Sequence, residues 1–200
     1  SFKEAGPYIV HQIKGDKGLR RHLDYFKFKH YYCAEVAKWV VQAYKNAGIT
    51  VPIYMNLYPF HHVHDWRRME ELCDMTGIDL YPENEFSADP DDHRKFMDKI
   101  RFMRTYARVP YIPEFSSGVW HNHHYACGVL SPNHYRLITL SALAAGVCGW
   151  NWYMLVNRDN WYMAPINEWG RPRPELTRIF KELVSIFKGM RPYACKKITD

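Results

Sequence analysis

The stretch VPYIPEFSSGVW, Val109 to Trp120, opens as a short apolar run and closes as a polar loop containing a glycine. Val109 to Ile112 has the length and character of a buried strand in a parallel sheet. The run ends at Pro113, and a carboxylate, Glu114, follows at once. A carboxylate at the C-terminal end of a buried strand sits where open and closed α/β folds both place their chemistry. It also has a plainer reading, a strand-end charge facing water or an arginine, and spacing alone leaves both open.

Segments of the same kind lie on either side. PYIVHQI (Pro7 to Ile13), ITVPIYM (Ile49 to Met55), GIDLY (Gly77 to Tyr81) and GVCGWNWYM (Gly146 to Met154) read as strands. Between them, helical spacing predicts helices over Tyr31 to Ala47, Asp65 to about Met75, Asp91 to Ala107, Pro132 to Ala145 and Pro174 to Met190. The first has Val36, Trp39, Val40, Ala43 and Tyr44 as its apolar positions. The last has Leu176, Ile179, Phe180, Leu183 and Phe187 as its buried stripe. Lys14 to His22 is basic, contains glycine and reads as a loop. Strand–helix alternation of this kind gives a parallel sheet with right-handed crossovers. Two architectures fit: a five-stranded doubly wound sheet, or part of an eight-stranded (β/α) barrel. A complete barrel usually takes about 250 residues, so counting favours the open sheet. The loops favour the barrel, because those after strands are long, polar and aromatic, while those after helices are short.

Composition narrows the function classes. The 200 residues suit one domain, here residues 1–200, with a sizeable core. Aromatics reach 16%, and such an excess suits flat apolar ligands, sugar rings among them. The net charge of +6 is spread along the chain without a basic run, so no nucleic-acid partner is expected. The five cysteines are scattered and form no CxxC pair, which argues against a disulfide scaffold or a zinc knuckle. No run approaches the roughly 20 apolar residues of a membrane span, so no membrane partner is expected either. No glycine-rich phosphate loop is present. The chain opens without Met and close to a strand, which suggests a natural N-terminus further upstream. The compartment stays open, with the cytoplasm favoured.

At Glu114 and around it the chain resembles a known family. PEFSSGVW resembles the nucleophile segment of retaining β-galactosidases of glycoside hydrolase family 35, with kinship to family 42. NWYMLVNRDNW, Asn151 to Trp161, is similar to the strand-eight stretch of that family, usually NYYMF and a glycine-rich loop. MAPINEWGRPRPE, Met163 to Glu175, resembles the segment APLDEYG that leads into the last barrel helix. GPYIVHQI resembles the motif that ends strand four, and NAGITVPIYMN and GIDLYP fit strands five and six. The resemblance implies a TIM (β/α)8 barrel, with this chain as strands four to eight and their helices. It implies a glycosidase that hydrolyses β-galactosides or related sugars by a retaining, two-carboxylate mechanism without a cofactor.

By that resemblance Glu114 is the nucleophile, and Asp16 takes the place of the acid/base glutamate, in KGDKG where the family has its acidic motif. Asp is one methylene shorter, and the neighbouring lysines favour its ionised form, the wrong direction for a general acid. Glu83 and Glu85 are further strand-end acids. Asn56 and Tyr81, at strand ends, are candidates to bond sugar hydroxyls or to cap their strands. A tryptophan floor is expected from Trp152 or Trp150, with Asn151 and Trp161 as weaker candidates. His61, His62 and His64, and then His121, His123 and His124, form two clusters read as polar pocket rim, with no metal expected. Three classes therefore stand, in this order: a glycoside hydrolase, a catalytically impaired sugar-binding protein, and an unrelated doubly wound α/β protein. Half a barrel would leave open sheet edges, so a further chain segment or a second copy is the expected partner, beside the carbohydrate itself.

Overall fold

The computed structural model describes residues 15–58, 64–82, 89–122, 125–126 and 130–195; of residues 16–17, 121–122 and 125–126 it describes the backbone alone. The elements run α1 (Gly15–Asn46), β1 (Tyr54–Leu57), α2 (Trp66–Leu72), β2 (Met75–Ile78), α3 (Pro90–Tyr106) and β3 (Tyr111–Ser116). They continue with β4 (Val119–Asn122), β5 (Tyr125–Ala126), α4 (Pro132–Ala144), β6 (Gly149–Tyr153), β7 (Trp161–Tyr162) and α5 (Pro174–Met190). The expected strand over Pro7 to Ile13 lies outside the described residues.

β1, β2, β3 and β6 form one parallel sheet in that order. Each strand pairs with the next one in sequence, so every crossover turns the same way. A doubly wound sheet would reverse its strand order at a switch point, and this one does not. Progressive winding is the barrel pattern. Among the described residues, the outer edges of β1 and β6 are unpaired.

The helices start where the sequence places caps. Asp65, Asp89 and Ser131 accept from the backbone N–H of Arg68, Asp91 and His134 at 3.2, 3.0 and 3.2 Å. Proline opens α3, α4 and α5, where its missing N–H costs no hydrogen bond. The helices cover one face of the sheet. Ile78, Leu80, Phe96, Ile100, Met103, Ile112, Phe115, Ile138, Ile179 and Leu183 form the buried core between them. Along α5 the buried residues are Leu176, Ile179, Phe180 and Leu183, each worth roughly 1.5–3 kcal/mol on full burial.

Three local expectations are corrected. Gly15 to His22 is helix, not loop: α1 begins at Gly15. Gly18 costs a helix about 1 kcal/mol relative to alanine, but a face through His22, Phe26, His30, Cys33, Ala37 and Val41 keeps the 3.6-residue period. The buried side of α1 is made by Ala34, Ala37 and Val41, while Trp39 is 72% exposed and Tyr44 51%. Small side chains let α1 approach closely, and Ala37 packs with Leu57 of β1 and Met69 of α2. Finally, β3 continues through Pro113 to Ser116, and its register against β6 shifts between Ile112 and Phe115. That irregularity accommodates a residue without an N–H. Gly77 makes room on the other side: a Cβ there would lie 2.6 Å from Pro113 Cδ and closer still to the Tyr111 carbonyl oxygen.

The two segments read as loops, His121 to Ser131 and Val156 to Arg173, contribute β5 and β7, which flank β4 in a small antiparallel sheet. This sheet is tied to the end of β3. The Trp161 indole N–H donates to Ser117 O at 2.7 Å, and Gly118 N–H donates to the Tyr135 hydroxyl at 2.9 Å. At the opposite, N-terminal end of the strands, Glu70 is buried. It accepts from Thr76 Oγ1, from Arg108 N at 2.7 Å and from Arg108 Nε at 3.2 Å.

Candidate active site

Glu114 is the fourth residue of β3. The residues on either side of it, Pro113 and Phe115, are buried. Its own side chain leaves the opposite, concave face of the sheet, and groups from two other strands meet it there. The Tyr81 hydroxyl, just beyond β2, donates to Glu114 Oε2 at 2.6 Å. Asn56 Nδ2, from β1, donates to Glu114 Oε1 at 3.3 Å. Both carboxylate oxygens are therefore held, and the carboxylate is oriented from two directions.

Asn56 has a second acceptor. The same nitrogen donates to Asp79 Oδ2, also at 3.3 Å. An amide nitrogen carries two hydrogens, one for each carboxyl, and ionised carboxylates only accept. The Asp79 carboxyl is pushed up to about 7, first by burial and then by the negative charge of Glu114. Hydrogen bonds from Asn56 and from the Glu114 backbone oppose that rise without cancelling it. The other oxygen of Asp79, Oδ1, is buried and has no hydrogen-bond partner among the described residues. The Tyr81 hydroxyl is raised well above the usual phenol range by burial and by donating to Glu114, so it stays protonated and keeps its hydrogen on the carboxylate.

An aromatic wall completes one side. The rings of Tyr81, Tyr153 and Trp161 meet edge to face, with centroids 5.2 to 6.5 Å apart. Trp161 is 7% exposed and its N–H is already bonded to Ser117, so it braces the wall rather than offering a free ring face. Arg158 donates from Nη2 to the Tyr153 hydroxyl at 2.7 Å.

The structure brings Asn56, Tyr81 and Trp161 to the surroundings of Glu114 and leaves the two expected floor tryptophans elsewhere. Trp150 and Trp152 point to the helix side, where Trp152 lies 4.2 Å from the Phe180 ring and Trp150 5.1 Å from that of Phe187, both on α5. Strand alternation gives the reason: Trp150 and Trp152 share a face, and Tyr153 takes the other. Asn151 is exposed and lines a groove of about 370 Å³ with both tryptophans, Leu155, Val184 and Phe187. That groove follows the edge of β6 that is unpaired among the described residues, on the helix side and away from Glu114. Asp16 lies in the first turn of α1, and its side chain is outside the described residues. Glu83, Glu85, His61, His62, His123 and His124 are outside them too. His64 packs edge-on against Trp66 at the start of α2, 5.7 Å between centroids, and His121 is a β4 residue. Among the described residues, no three His, Cys, Asp or Glu side chains are grouped to hold a metal ion. No described helix is long and apolar enough to cross a membrane.

Asp79 and Arg158 were not singled out from the sequence, and of the alternating Trp150, Trp152 and Tyr153 the tryptophans rather than the tyrosine were expected to face the pocket. For Asp79 the signal was available: in GIDLY, Ile78 and Leu80 are core, so Asp79 and Tyr81 share the other face.

A one-way parallel sheet with its carboxylates and tyrosines gathered at the C-terminal strand ends has the architecture of part of a (β/α)8 barrel. Comparison with known families then gives the particular lineage. The family model of glycoside hydrolase family 42, described as beta-galactosidase, matches residues 12–186. The chain belongs to that family; the kinship placed second from the motifs is the one found, and family 35 is not. Solved structures share the fold. The cold-adapted β-galactosidase of Rahnella sp. R3 superposes with a TM-score of 0.67 at 15% identity, over 88% of this chain and 27% of its own. For the β-galactosidase of Halorubrum lacusprofundi the values are 0.63, 17%, 84% and 27%. For that of the psychrophilic Marinomonas ef1 they are 0.58, 14%, 79% and 27%. The chain thus spans about a quarter of the length of these enzymes. Compared by sequence with curated proteins, it has no match.

Proposed function

We propose that this chain supplies the nucleophile side of a retaining glycosidase site that acts on β-galactosides or related sugars, and that it forms strands four to eight of the barrel. The observation that carries this is the Glu114 carboxylate held by Tyr81 and Asn56 at the C-terminal end of a barrel strand. A retaining glycosidase needs two carboxyls about 5–5.5 Å apart, one to attack the anomeric carbon and one to protonate the leaving oxygen and later activate water. Glu114 attacks. Tyr81 and Asn56 keep its oxygens aligned and take up their charge again when the glycosyl–enzyme is hydrolysed. Asp79 belongs to the nucleophile's side, because the Asn56 amide fills the space between the two carboxyls.

The acid/base is assigned to the loop and helix start after Gln12 and Ile13, with Asp16 at the position the family resemblance implies. A second reading, a sugar-binding protein with an impaired acid step, is favoured by one observation: Asp16 stands in a helix, not in a strand-end loop.

The remaining strands come from elsewhere, either a further segment of the same protein or a second copy. The outer edge of β6, unpaired among the described residues, and the exposed Leu23, Phe28, Tyr31 and Trp39 of α1 support this, since a monomer rarely leaves such surface uncovered. A monomeric, cooperatively folding 200-residue species in sedimentation would overturn it.

The site itself is tested by intact mass after incubation with a 2-fluoro galactoside that carries a good leaving group. Such a substrate needs little help from an acid, so labelling depends on the nucleophile alone. The expected result is a stable adduct mapped to Glu114 and lost in Glu114→Gln. Absence of labelling in the protein with its remaining strands present, with a control β-galactosidase labelled in parallel, would overturn the glycosidase reading.

A further inference from the structure

Arg158 is a cation on the catalytic side of the sheet for which the two-carboxylate mechanism has no use. Its backbone is pinned in a tight hairpin: Arg158 N donates to Trp161 O at 3.1 Å and Trp161 N donates to Arg158 O at 2.9 Å. The next side chain back, Asn157, ties the loop together by accepting from Ala164 N at 2.9 Å and donating to Glu168 at 3.0 Å. From this fixed base the guanidinium lies over the Tyr153 ring, 5.7 Å from its centroid, and bonds the Tyr153 hydroxyl. Tyr153 packs against Tyr81, and Tyr81 bonds Glu114. One aromatic layer therefore separates the guanidinium from the nucleophile.

Among the described residues, Arg158 forms no ion pair. Guanidinium has five N–H donors in a planar fork, and the Tyr153 hydroxyl occupies one. The tyrosine, having accepted that bond, still has its own O–H to give. Fork and hydroxyl together offer convergent donors of the kind that carboxylate and sulfate groups take in bidentate fashion. The electrostatics agree. Glu114 and Asp79 make this end of the sheet acidic, so a sugar carrying a negative charge would be repelled unless a fixed cation answered it. A neutral sugar would need no such group.

We propose that Arg158, with Tyr153, is a specificity determinant that recognises an anionic substituent, carboxylate or sulfate, on the sugar held at Glu114. This rests on the glycosidase reading above.

The test uses the complete protein and three aryl β-glycosides with one leaving group: the galactoside, the galacturonide and a sulfated galactoside. The expected result is a kcat/KM at least about 30-fold higher for one anionic glycoside than for the neutral one. Preference for the galacturonide assigns the carboxylate, and preference for the sulfated sugar assigns the sulfate. Arg158→Gln should reduce the anionic-over-neutral ratio by about 100-fold, and Arg158→Lys, which keeps the charge and loses the fork, by about 10-fold. Preference for the neutral galactoside, or an equal loss on all substrates in Arg158→Gln, overturns the role of Arg158 while the glycosidase reading stands. No turnover of any of the three, together with an unlabelled Glu114, overturns both.

Discussion

Replacing Asp79 by asparagine should change the pH dependence of stability in a direction that follows from its surroundings. Asparagine imitates the neutral acid and can still accept from Asn56. In the folded chain the Asp79 carboxyl is pushed up to about 7 by burial and by Glu114, from an ordinary value of 3.8. Below the ordinary value the folded and unfolded states both hold the proton. Above about 7 neither does. Between the two, the folded state binds one proton more, so the stability contribution is complete at acid pH and is lost as pH rises through the folded value. The slope is about −1.4 kcal/mol per pH unit, so three units would amount to about 4 kcal/mol. Asp79 is only partly buried, and water reaching the cleft reduces this to about 2 kcal/mol. Asp79→Asn should therefore match the wild type near pH 4 and exceed it by about 2 kcal/mol near pH 8. Urea unfolding of both proteins at half-unit steps from pH 4 to 8 measures the difference. Parallel stability curves across that range would refute the reasoning, as they would mean that Asp79 ionises in the folded protein as easily as in the unfolded one.

Tyr81→Phe removes a neutral donor from a charged acceptor, worth about 1.5–3 kcal/mol, so the 2-fluoro galactoside should label Glu114 about 10- to 150-fold more slowly; an unchanged rate would mean that Tyr81 does not position the nucleophile. Glu70→Ala strips three hydrogen bonds from a buried carboxylate and should lower stability by about 2–4 kcal/mol in denaturant unfolding. Gly77→Ala drives a methyl into the Tyr111 carbonyl and Pro113; a loss of about 2–4 kcal/mol in thermal unfolding is expected, and an unshifted midpoint would show that β2 and β3 can move apart.

The helices were legible wherever local chemistry and periodicity agree. Asp65 at the start of α2, the starts of α4 and α5 at Pro132 and Pro174, and the α5 stripe from Leu176 to Leu183 are patterns that a single helix reveals without knowledge of its neighbours. α1 was read too short because Gly15 and Gly18 look like breakers, and its inward face was misread because Trp39 and Tyr44 are larger than Ala34 and Ala37. Size predicts burial only when the partner surface has room for it, and α2 with β1 offers room for alanine.

By itself the sequence determined the alternation of strands and helices, the position of Glu114 at the end of a buried strand, and Asn56 and Tyr81 as polar strand-end residues. These follow from apolar period and breaker placement, which are local properties. Only the tertiary structure decided that Asn56, Asp79 and Tyr81, from 33 to 58 positions earlier in the chain than Glu114, meet one carboxylate, since that depends on the registers of β1, β2 and β3. It also decided that Tyr153 and not its tryptophan neighbours faces the site. Alternation tells which side chains share a face. Which face the helices cover is settled only when the sheet is packed.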